Sequence, residues 1–401
     1  MLSLHEARGL LATRVSPLAA IERPLGRAAG LRLASGVRAA ADLPVADLSA
    51  MDGYAARAID LRPGTPLLTV AAVAAGSVPA PLPPGSAARI FTGAVVPPGA
   101  DTVVPQEDAR LLADGRVRLG VVPAGSHVRP RGEVFRAGQP LAGAGDALTP
   151  TTLATLAAGG VPRVAAHPRP RVAILVTGTE LASVRGRTAP GRVRDSNGPM
   201  LAALASEAGL KVAFSHRVAD DLPVLTASLE EAAGVADLVI TSGGVSVGDF
   251  DLVPETVTAI GGETVFHQVA IQPGKPILVA VVRGCWLVGA PGNAVSALVA
   301  WRMFARPLAE ALAGDRHAFD EAALPATLAT AVANRGDRMQ LRPADLATAA
   351  EGLTVTVRPW RGSHDIASAA GATALACMPR GVELPAGASV ECYPLPWRWS
   401  G

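Results

Sequence analysis

Four segments in the middle of the chain combine glycines with side chains that could bind a phosphorylated ligand. They span residues 177–181, 241–251, 272–276 and 290–297. Glycine lets the backbone approach a ligand closely and direct N–H groups at an anion. A helix beginning near Asn293 would add free N–H donors and the positive end of a dipole, which favours phosphate. Each segment alone could be a tight turn, but four of them in one stretch favour a shared phosphate site.

Carboxylates in and around these segments could bind Mg²⁺, a hard cation that proteins often hold through one or two carboxylates plus substrate phosphate. The candidates are Glu180, Asp220, Asp221, Asp249 and Asp251. Asp195 is equally suited to capping a helix or contacting a ligand. The histidines are scattered and the cysteines form no C-x-x-C pair, so a zinc site is not predicted.

Two common phosphate-binding motifs are absent from these segments. A Walker A loop requires G-x-x-x-x-G-K-[ST], but Lys275 is followed by Pro276 and position 269 is valine. The turn after the run 171–177 does not read G-x-G-x-x-G, the fingerprint of dinucleotide-binding folds. ATPase and NAD-dehydrogenase functions are therefore not favoured.

Lysine is nearly absent from a chain that is otherwise rich in arginine. The sequence has 36 basic residues, and only Lys211 and Lys275 are lysines. A lysine retained against this bias suggests a role for a compact ammonium group that guanidinium cannot fill, with chance as the alternative. The position of Lys275 in a glycine-bearing segment favours such a role.

The elements that would position these segments alternate between strands and helices. Residues 171–177 form an apolar, β-branched run typical of a strand buried on both faces. Further strands are predicted over 237–241, 276–282 and 285–288, and helices after Asn197 and over 293–312. This alternation predicts an open, largely parallel sheet, in which ligands bind beyond the carboxyl ends of the strands.

The flanking regions have different textures. Residues 1–40 are predicted to be helical from the recurrence of Leu2, Leu10, Leu11 and Leu18, and residues 147–160 are predicted to be helical again. Between about 43 and 134, and after about 320, short β-type runs alternate with proline- and glycine-rich turns. These parts predict β-rich domains on either side of the α/β segment.

Composition limits the functional classes further. Hydrophobic residues make up 49% and charged residues 17% of the 401 residues, which predicts folded domains with substantial cores. A net charge of +2 provides no basic field for nucleic acid or an anionic membrane. The widely spaced cysteines and the lack of a signal-like or spanning apolar run predict a cytoplasmic protein.

Taken together and in order, the motifs resemble those of the MoeA-type molybdopterin molybdenumtransferases, to which the C-terminal domain of gephyrin is related. The Ser-Ala-Met-Asp-Gly-Tyr-Ala run at 49–55 resembles the family's signature. Further similar motifs lie at 89–94, 99–107, 177–181, 195–197, 242–251, 273–276, 291–293 and 362–364.

This resemblance implies a multidomain α/β plus β architecture. Its parts would be a discontinuous helical domain (1–43 and 135–168), an inserted β-rich domain (44–134), a molybdopterin-binding α/β domain (169–316) and a C-terminal β-barrel (317–401). It also implies a homodimer whose active site joins the α/β domain of one subunit to the β-rich domain of the other. Adenylylated molybdopterin and molybdate would be substrates, Mg²⁺ the cofactor and AMP a product. An upstream adenylyltransferase and molybdoenzyme chaperones are possible protein partners.

Site residues are carried over position by position as part of the resemblance. The implied catalytic residues are Asp52, Thr92, Glu180, Lys275 and Ser363. The implied residues that bind the pterin or nucleotide are Thr177, Gly178, Ser242, Gly243, Gly244, Pro291, Gly292, Asn293 and Ser296. The implied metal ligands are Asp220 and Asp251.

The chain departs from the family pattern at three positions. An acidic residue is expected at Val134, and lysines are expected at Gln268 and Gln272. Glutamine keeps hydrogen bonding but loses the charge, so two alternatives to an active transferase stay open. One is a molybdopterin-binding paralogue or scaffold with little turnover. The other is an adenylyltransferase built on the same α/β domain, against which the extra β-rich domains and the 49–55 motif count.

Overall fold

The computed structural model describes residues 1–185, 189–246, 248, 251–320 and 323–395. They form two compact units, one comprising Met1–Ile21 with His167–Gly401 and the other Glu22–Ala166. None of the helices in these described residues is long and apolar enough to cross a membrane. The four predicted domain boundaries stay predictions beside this coarser division.

The predicted helix over residues 1–40 is wrong beyond its first third. Helix α1, Leu4–Arg14, begins with a capping box in which Ser3 and Glu6 exchange side-chain and backbone hydrogen bonds. It ends at Arg14 because Pro17 follows shortly after, and a residue preceding proline is pushed out of the helical region. The leucine spacing alone did not reveal this stop.

The region between Ile21 and His167 is rich in short strands. A six-stranded sheet with the order β8-β5-β7-β6-β10-β9 dominates it. The predicted helix over 147–160 is confirmed as α2, Pro150–Ala158, capped by the Thr149 side chain. The strands are β1 Ile21–Pro24, β2 Arg32–Leu33, β3 Val37–Arg38, β4 Leu48–Ser49, β5 Gly53–Ala56, β6 Pro66–Val73, β7 Ser86–Ile90, β8 Thr102–Pro105, β9 Ala109–Leu111, β10 Arg116–Leu119, β11 Val128–Arg129, β12 Pro140–Ala142 and β13 Arg163–His167.

The α/β domain confirms the predicted open sheet. Its strand order is β17-β14-β18-β22-β21-β19, and β17, β14, β18 and β22 run parallel. The elements are β14 Arg171–Thr177, β15 Leu181–Ala182, β16 Val193–Arg194, α3 Asn197–Glu207, β17 Lys211–Val218, α4 Leu222–Val235, β18 Leu238–Ser242, α5 Val253–Ala259, β19 Glu263–His267, β20 Ile271–Gln272, β21 Leu278–Val282, β22 Cys285–Ala290, α6 Ala294–Ala300 and α7 Arg306–Leu312. Strand β14 matches its predicted bounds because every residue after Arg171 in it is buried.

Three of the four glycine-bearing segments follow directly from parallel strands of this sheet. Residues 178–181 follow β14, residues 243–251 follow β18 and residues 291–293 follow β22. Strand β21 runs antiparallel to β22, with Leu278 opposite Gly289, so the segment that precedes β21 lies at the same edge. All four segments, including Lys275, therefore lie at one end of the sheet, where the parallel strands have their carboxyl ends.

The predicted helix over 293–312 is confirmed in position but is not a regular α-helix throughout. Asn293 is the N-cap of α6, and a π-helical turn, Trp301–Ala305, separates α6 from α7. Trp301, Arg302 and Phe304 in this turn are almost completely buried. Such turns widen the helix locally, and sequence periodicity does not predict them.

The C-terminal region forms the β-barrel that the resemblance implied. Strands β25, β26, β23, β29 and β27 are neighbours in that order, and β27 pairs back with β25 to close a five-stranded barrel. Its elements are β23 Leu324–Leu328, β24 Val332–Asn334, β25 Met339–Ala349, β26 Gly352–Val357, α8 Ile366–Ala369, β27 Ala374–Met378, β28 Val382–Leu384 and β29 Ser389–Pro394.

Candidate active site

A cavity of about 380 Å³ lies at the carboxyl ends of β14, β18 and β22. Its lining combines backbone, hydroxyl, amide and carboxylate groups, as expected for a site that holds a polar ligand. The lining residues are Val176, Thr177, Glu180, Leu181, Val193, Arg194, Asp195, Ser196, Asn197, Ser242, Gly292 and Asn293. Five of the predicted site residues are thereby brought together: Thr177, Glu180, Ser242, Gly292 and Asn293.

The glycines after β18 allow two loops to pack closely. The backbone N–H of Gly243 donates to the carbonyl of Ala290 at 2.9 Å, and Gly243 has a φ of 99°. A Cβ atom there would lie 2.5 Å from the carbonyl oxygen of Thr177 and 2.6 Å from its Oγ1. At Gly244 a Cβ atom would lie 3.1 Å from the same Oγ1. Only glycine therefore suits Gly243, where both the backbone conformation and the space exclude a side chain.

The hydroxyl of Thr177 lies beneath this turn. Its Oγ1 is fully buried and has no hydrogen-bond partner among the described residues. A buried hydroxyl without a partner costs free energy, because it loses its hydrogen bond to water. Thr177 therefore lines the cavity while its hydroxyl is buried beside Gly243.

Glu180 and Asp220 flank the first glycine-bearing segment. Gly178 has a φ of 152°, and a Cβ atom there would lie 2.8 Å from both carboxylate oxygens of exposed Glu180. The carboxylate of Asp220 accepts a hydrogen bond from the backbone N–H of Thr179 at 2.8 Å, which fixes the end of β17 to this turn. Asp221 instead caps α4 by accepting from the backbone N–H of Val224, which is a structural role.

Asp251 closes the segment that follows β18. One oxygen of its carboxylate accepts from the backbone N–H of Gly248 at 2.8 Å. The other oxygen of Asp251, like that of Asp220, accepts no hydrogen bond from the described residues. In the described part of the chain, no three histidine, cysteine, aspartate or glutamate side chains form a group that could hold a metal. Asp249 lies outside the described residues, and the metal assignment stays a prediction.

Lys275 lies at the same edge but outside the cavity lining. It is exposed and precedes β21, and its carbonyl accepts from the backbone N–H of Val269 at 2.9 Å. Gly274 before it has a φ of 111° and packs against the side chains of Ile271 and Ile277. The segment is therefore anchored by backbone and apolar contacts, while Lys275 itself is exposed.

Asn293 connects the cavity to the barrel domain. Its Nδ2 donates to Oγ of Ser363 at 2.9 Å, and the backbone N–H of Val295 donates to the carbonyl of Ser363 at 3.1 Å. Because Ser363 accepts from an amide, its own proton is available for an acceptor such as a ligand oxygen. Ser296 is only 2% exposed inside α6 and does not line the cavity.

Asp52 and Thr92 meet in the other unit. One carboxylate oxygen of Asp52 accepts from the backbone N–H of Thr92 at 2.7 Å and from its hydroxyl at 2.8 Å. These two bonds, with the nearby Arg89 guanidinium, lower the pKa of Asp52 below its ordinary value. Gly53 follows in β5, where a Cβ atom would lie 2.0 Å from the carbonyl oxygen of Val104. The 49–55 motif thus places a carboxylate whose ionised form is favoured next to a tightly packed strand.

Comparison with known proteins agrees with this architecture along nearly the whole chain. Residues 2–160 match the MoeA N-terminal region (domain I and II), residues 173–311 a probable molybdopterin-binding domain, and residues 325–395 the MoeA C-terminal region (domain IV). The chain is 38% identical to molybdopterin molybdenumtransferase 2 of Mycobacterium tuberculosis, covering 98% of this chain and 100% of that protein. This chain belongs to the MoeA family.

Other relatives of this MoeA chain carry similar names. A molybdopterin molybdenumtransferase from Nostoc is 39% identical over 72% of this chain and 69% of its own length. A solved MoeA protein of molybdopterin biosynthesis from Pyrococcus horikoshii superposes with a TM-score of 0.85 at 29% identity, covering 100% of both chains. The resemblance seen in the motifs is therefore confirmed at the level of family and fold.

Sequence reasoning missed two residues in this MoeA chain that the contacts bring forward. Asn197 lines the cavity and bonds to Ser242 and Gly292, although within its motif the sequence suggested a ligand contact only for Asp195. Arg89 donates to the carbonyl of Gly53 at 3.0 Å and lies 5.2 Å from the Tyr54 ring and 5.1 Å from the Phe91 ring. The place of Arg89 in the 89–94 motif was the only feature of the sequence that indicated these contacts.

Proposed function

We propose that this chain inserts molybdate into adenylylated molybdopterin and releases AMP, as a molybdopterin molybdenumtransferase of molybdenum cofactor assembly. The observation that supports this most is that three of the four glycine-bearing segments line one cavity, with the Lys275 segment at the same end of the sheet, in a domain that matches a probable molybdopterin-binding family. Membership of the MoeA family, with relatives named for this activity, supports the reaction class.

The cavity supplies what a pterin-linked diphosphate requires. Glu180 offers a carboxylate to N–H and O–H donors of the ligand, while Asn293 and Ser363 offer polar groups at the boundary with the barrel. Of these groups the Asn293 amide and the Ser363 hydroxyl can donate, and preorganised donors stabilise the negative charge that develops as the diphosphate bond is cleaved. Lys275 would add an ammonium group to an anion that extends beyond the cavity.

Magnesium belongs to this proposal as a partner of the substrate phosphates. Two carboxylates with one free oxygen each, those of Asp220 and Asp251, match a cation that keeps several waters and phosphate oxygens in its shell. Asp220→Asn and Asp251→Asn are each expected to raise the Mg²⁺ concentration needed for half-maximal AMP release. An unchanged requirement in both variants would remove these residues from the metal site.

The decisive assay follows AMP. Purified protein is mixed with adenylylated molybdopterin, Mg²⁺ and molybdate, and AMP release is measured by chromatography. Molybdate-dependent AMP release is the expected result. Tight binding of adenylylated molybdopterin with no AMP at any molybdate concentration would instead support the scaffold alternative, for which the comparisons provide no evidence.

We also propose a homodimer in which Asp52 and Thr92 of one subunit complete the site of the other. Mixed dimers of Asp52→Asn and Lys275→Gln chains, each inactive alone, should then regain part of the activity, since one of the two sites is intact. Failure to complement would place the whole site within one chain. A cytoplasmic location, with the upstream adenylyltransferase and molybdoenzyme chaperones as partners, completes the proposal.

A further inference from the structure

Asn197 is a buried amide that holds two loops of the cavity together. It is only 5% exposed at the first position of α3. Its Nδ2 donates to Oγ of Ser242 at 2.8 Å and to the carbonyl of Gly292 at 2.7 Å. Both protons of this amide are therefore used, one on the last residue of β18 and the other on the loop that follows β22.

The Asn197 side chain is not needed to cap its own helix, so its amide can bond to Ser242 and Gly292. The helix start is capped by Asp195, whose carboxylate accepts from the backbone N–H of Gly198 at 2.8 Å. The backbone carbonyl of Gly292 can only accept, so the nitrogen of the amide must face it. The orientation of Asn197 is thus determined by its surroundings rather than by helix capping.

The contacts of Asn197 continue into the predicted site. Gly292 precedes Asn293, and Asn293 donates to Ser363 at 2.9 Å in the barrel domain. The hydroxyl of Ser242 lies 3.4 Å from the carbonyl of Pro291, so the same loop is held from a second direction. Asn197 itself lines the cavity, and a change in it would also displace Gly292 and Asn293, which line the same cavity.

We propose that Asn197 is a positioning residue for the reaction: it fixes the Gly292–Asn293 turn, and through it Ser363, in the geometry that binds the substrate. This inference rests on the proposed function. Because Asn197 acts by positioning other groups, substituting it should weaken substrate binding even at temperatures where the variant is fully folded.

The test variant is Asn197→Asp, which keeps the size of the side chain but replaces the donating nitrogen with an oxygen. At pH 8 that oxygen would face the Gly292 carbonyl, so this hydrogen bond is replaced by a repulsion between two acceptors, while the Ser242 hydroxyl can still donate to the carboxylate. We expect the KM for adenylylated molybdopterin to rise about 10-fold or more, since one hydrogen bond is removed and two oxygen acceptors are brought face to face. The matched control is Ser206→Ala on the exposed face of the same helix, where Ser206 donates only to the carbonyl of Ala202; its KM should stay within about twofold of wild type.

A readout independent of turnover accompanies the kinetics. Amide hydrogen exchange at Val295, whose N–H is bonded to the Ser363 carbonyl, should be faster in Asn197→Asp and unchanged in Ser206→Ala. A folded Asn197→Asp protein with unchanged KM, kcat and Val295 exchange would overturn the inference. If wild type itself shows no turnover, the proposed function fails while the exchange rates still decide the role of Asn197.

A second variant covers the case in which Asn197→Asp does not fold. Ser242→Ala removes one acceptor and leaves the bond to Gly292, so a smaller rise in KM, about threefold, is expected. Adding Asn197→Ala to it should cost less than the two single effects combined, because the groups share one bond. An unchanged KM in Ser242→Ala, or strict additivity, would count against the proposal.

Discussion

Replacing Gly243 with alanine should destabilise the α/β domain far more than the same replacement at Gly261. Both glycines have positive φ, 99° and 72°, so each alanine carries a conformational cost of about 1–2 kcal/mol. At Gly261 a Cβ atom would meet nothing within 4 Å, whereas at Gly243 it would lie 2.5 Å from the Thr177 carbonyl oxygen. Forcing atoms into such a packed position typically costs a further 1–3 kcal/mol or so.

The comparison isolates the steric part of the cost. Both changes are glycine to alanine, so the stabilisation from a stiffer unfolded chain is the same and cancels. The expected difference in the free energy of unfolding between the two variants is therefore about 1–3 kcal/mol. Gly243→Ala should also impair AMP release, because the displaced turn packs against Thr177, which lines the cavity.

Urea unfolding followed by circular dichroism measures this difference, with wild type, Gly243→Ala and Gly261→Ala run side by side. Equal losses in the two variants would refute the argument that close packing against Thr177 excludes a side chain at Gly243. Full activity in a folded Gly243→Ala protein would separately refute the role of this turn in the site.

Three further outcomes are expected. Lys275→Gln should abolish most AMP release while Lys211→Gln, at the opposite edge of the sheet, leaves it unchanged; equal rates in both would remove Lys275 from the site. Thr92→Val should raise the pKa of Asp52 toward its ordinary value, because a hydrogen bond to the charged form is lost. The stability that this depressed pKa contributes is present above the unfolded pKa and is lost as pH falls through the folded pKa. In the variant this contribution should be smaller and its loss complete at a higher pH; NMR titration of the carboxyl group measures the shift. Burial raises the pKa of each of the thiols of Cys285, Cys377 and Cys392 to about 12. Iodoacetamide at pH 8 should therefore modify the native protein negligibly, and it should label all three cysteines once the protein is unfolded.

The sequence predicted the elements whose signals are local. Strand β14 was predicted with its observed bounds because a continuous apolar run has few alternatives, and the barrel region was predicted as β-rich from its turns. The prediction of a helix over 1–40 was wrong because it relied on the spacing of apolar residues and ignored the helix-ending effect of Pro17. The π-helical turn Trp301–Ala305 could not be predicted, since it depends on how the helix packs in the core.

The site was predictable as a set of loops but not as a set of contacts. Glycines and carboxylates after strands pointed to one edge of the sheet, and the cavity lies there. The bonds of Asn197 join it to residues 45 and 95 positions away, and Asp52 meets Thr92 across 40 positions. Such pairings depend on tertiary packing, which cannot be predicted from residue types and their spacing in a single sequence.

The departure of this chain from its family at Gln272 has a local physical reason. Gln272 lies beside Gln340 in the pairing of β20 with β25, and its Oε1 accepts from Nε2 of Gln340 at 3.0 Å. The other end of the Gln340 amide is already used, because its Oε1 accepts from Nε of Arg342 at 2.7 Å. A lysine at position 272 would therefore present an ammonium group to an amide donor that cannot turn around without releasing Arg342. Glutamine at position 272 satisfies these hydrogen bonds, which end at the guanidinium of Arg342. The loss of charge at Gln272 is thus coupled to the barrel strand beside it, and it does not by itself indicate that the site has lost its function.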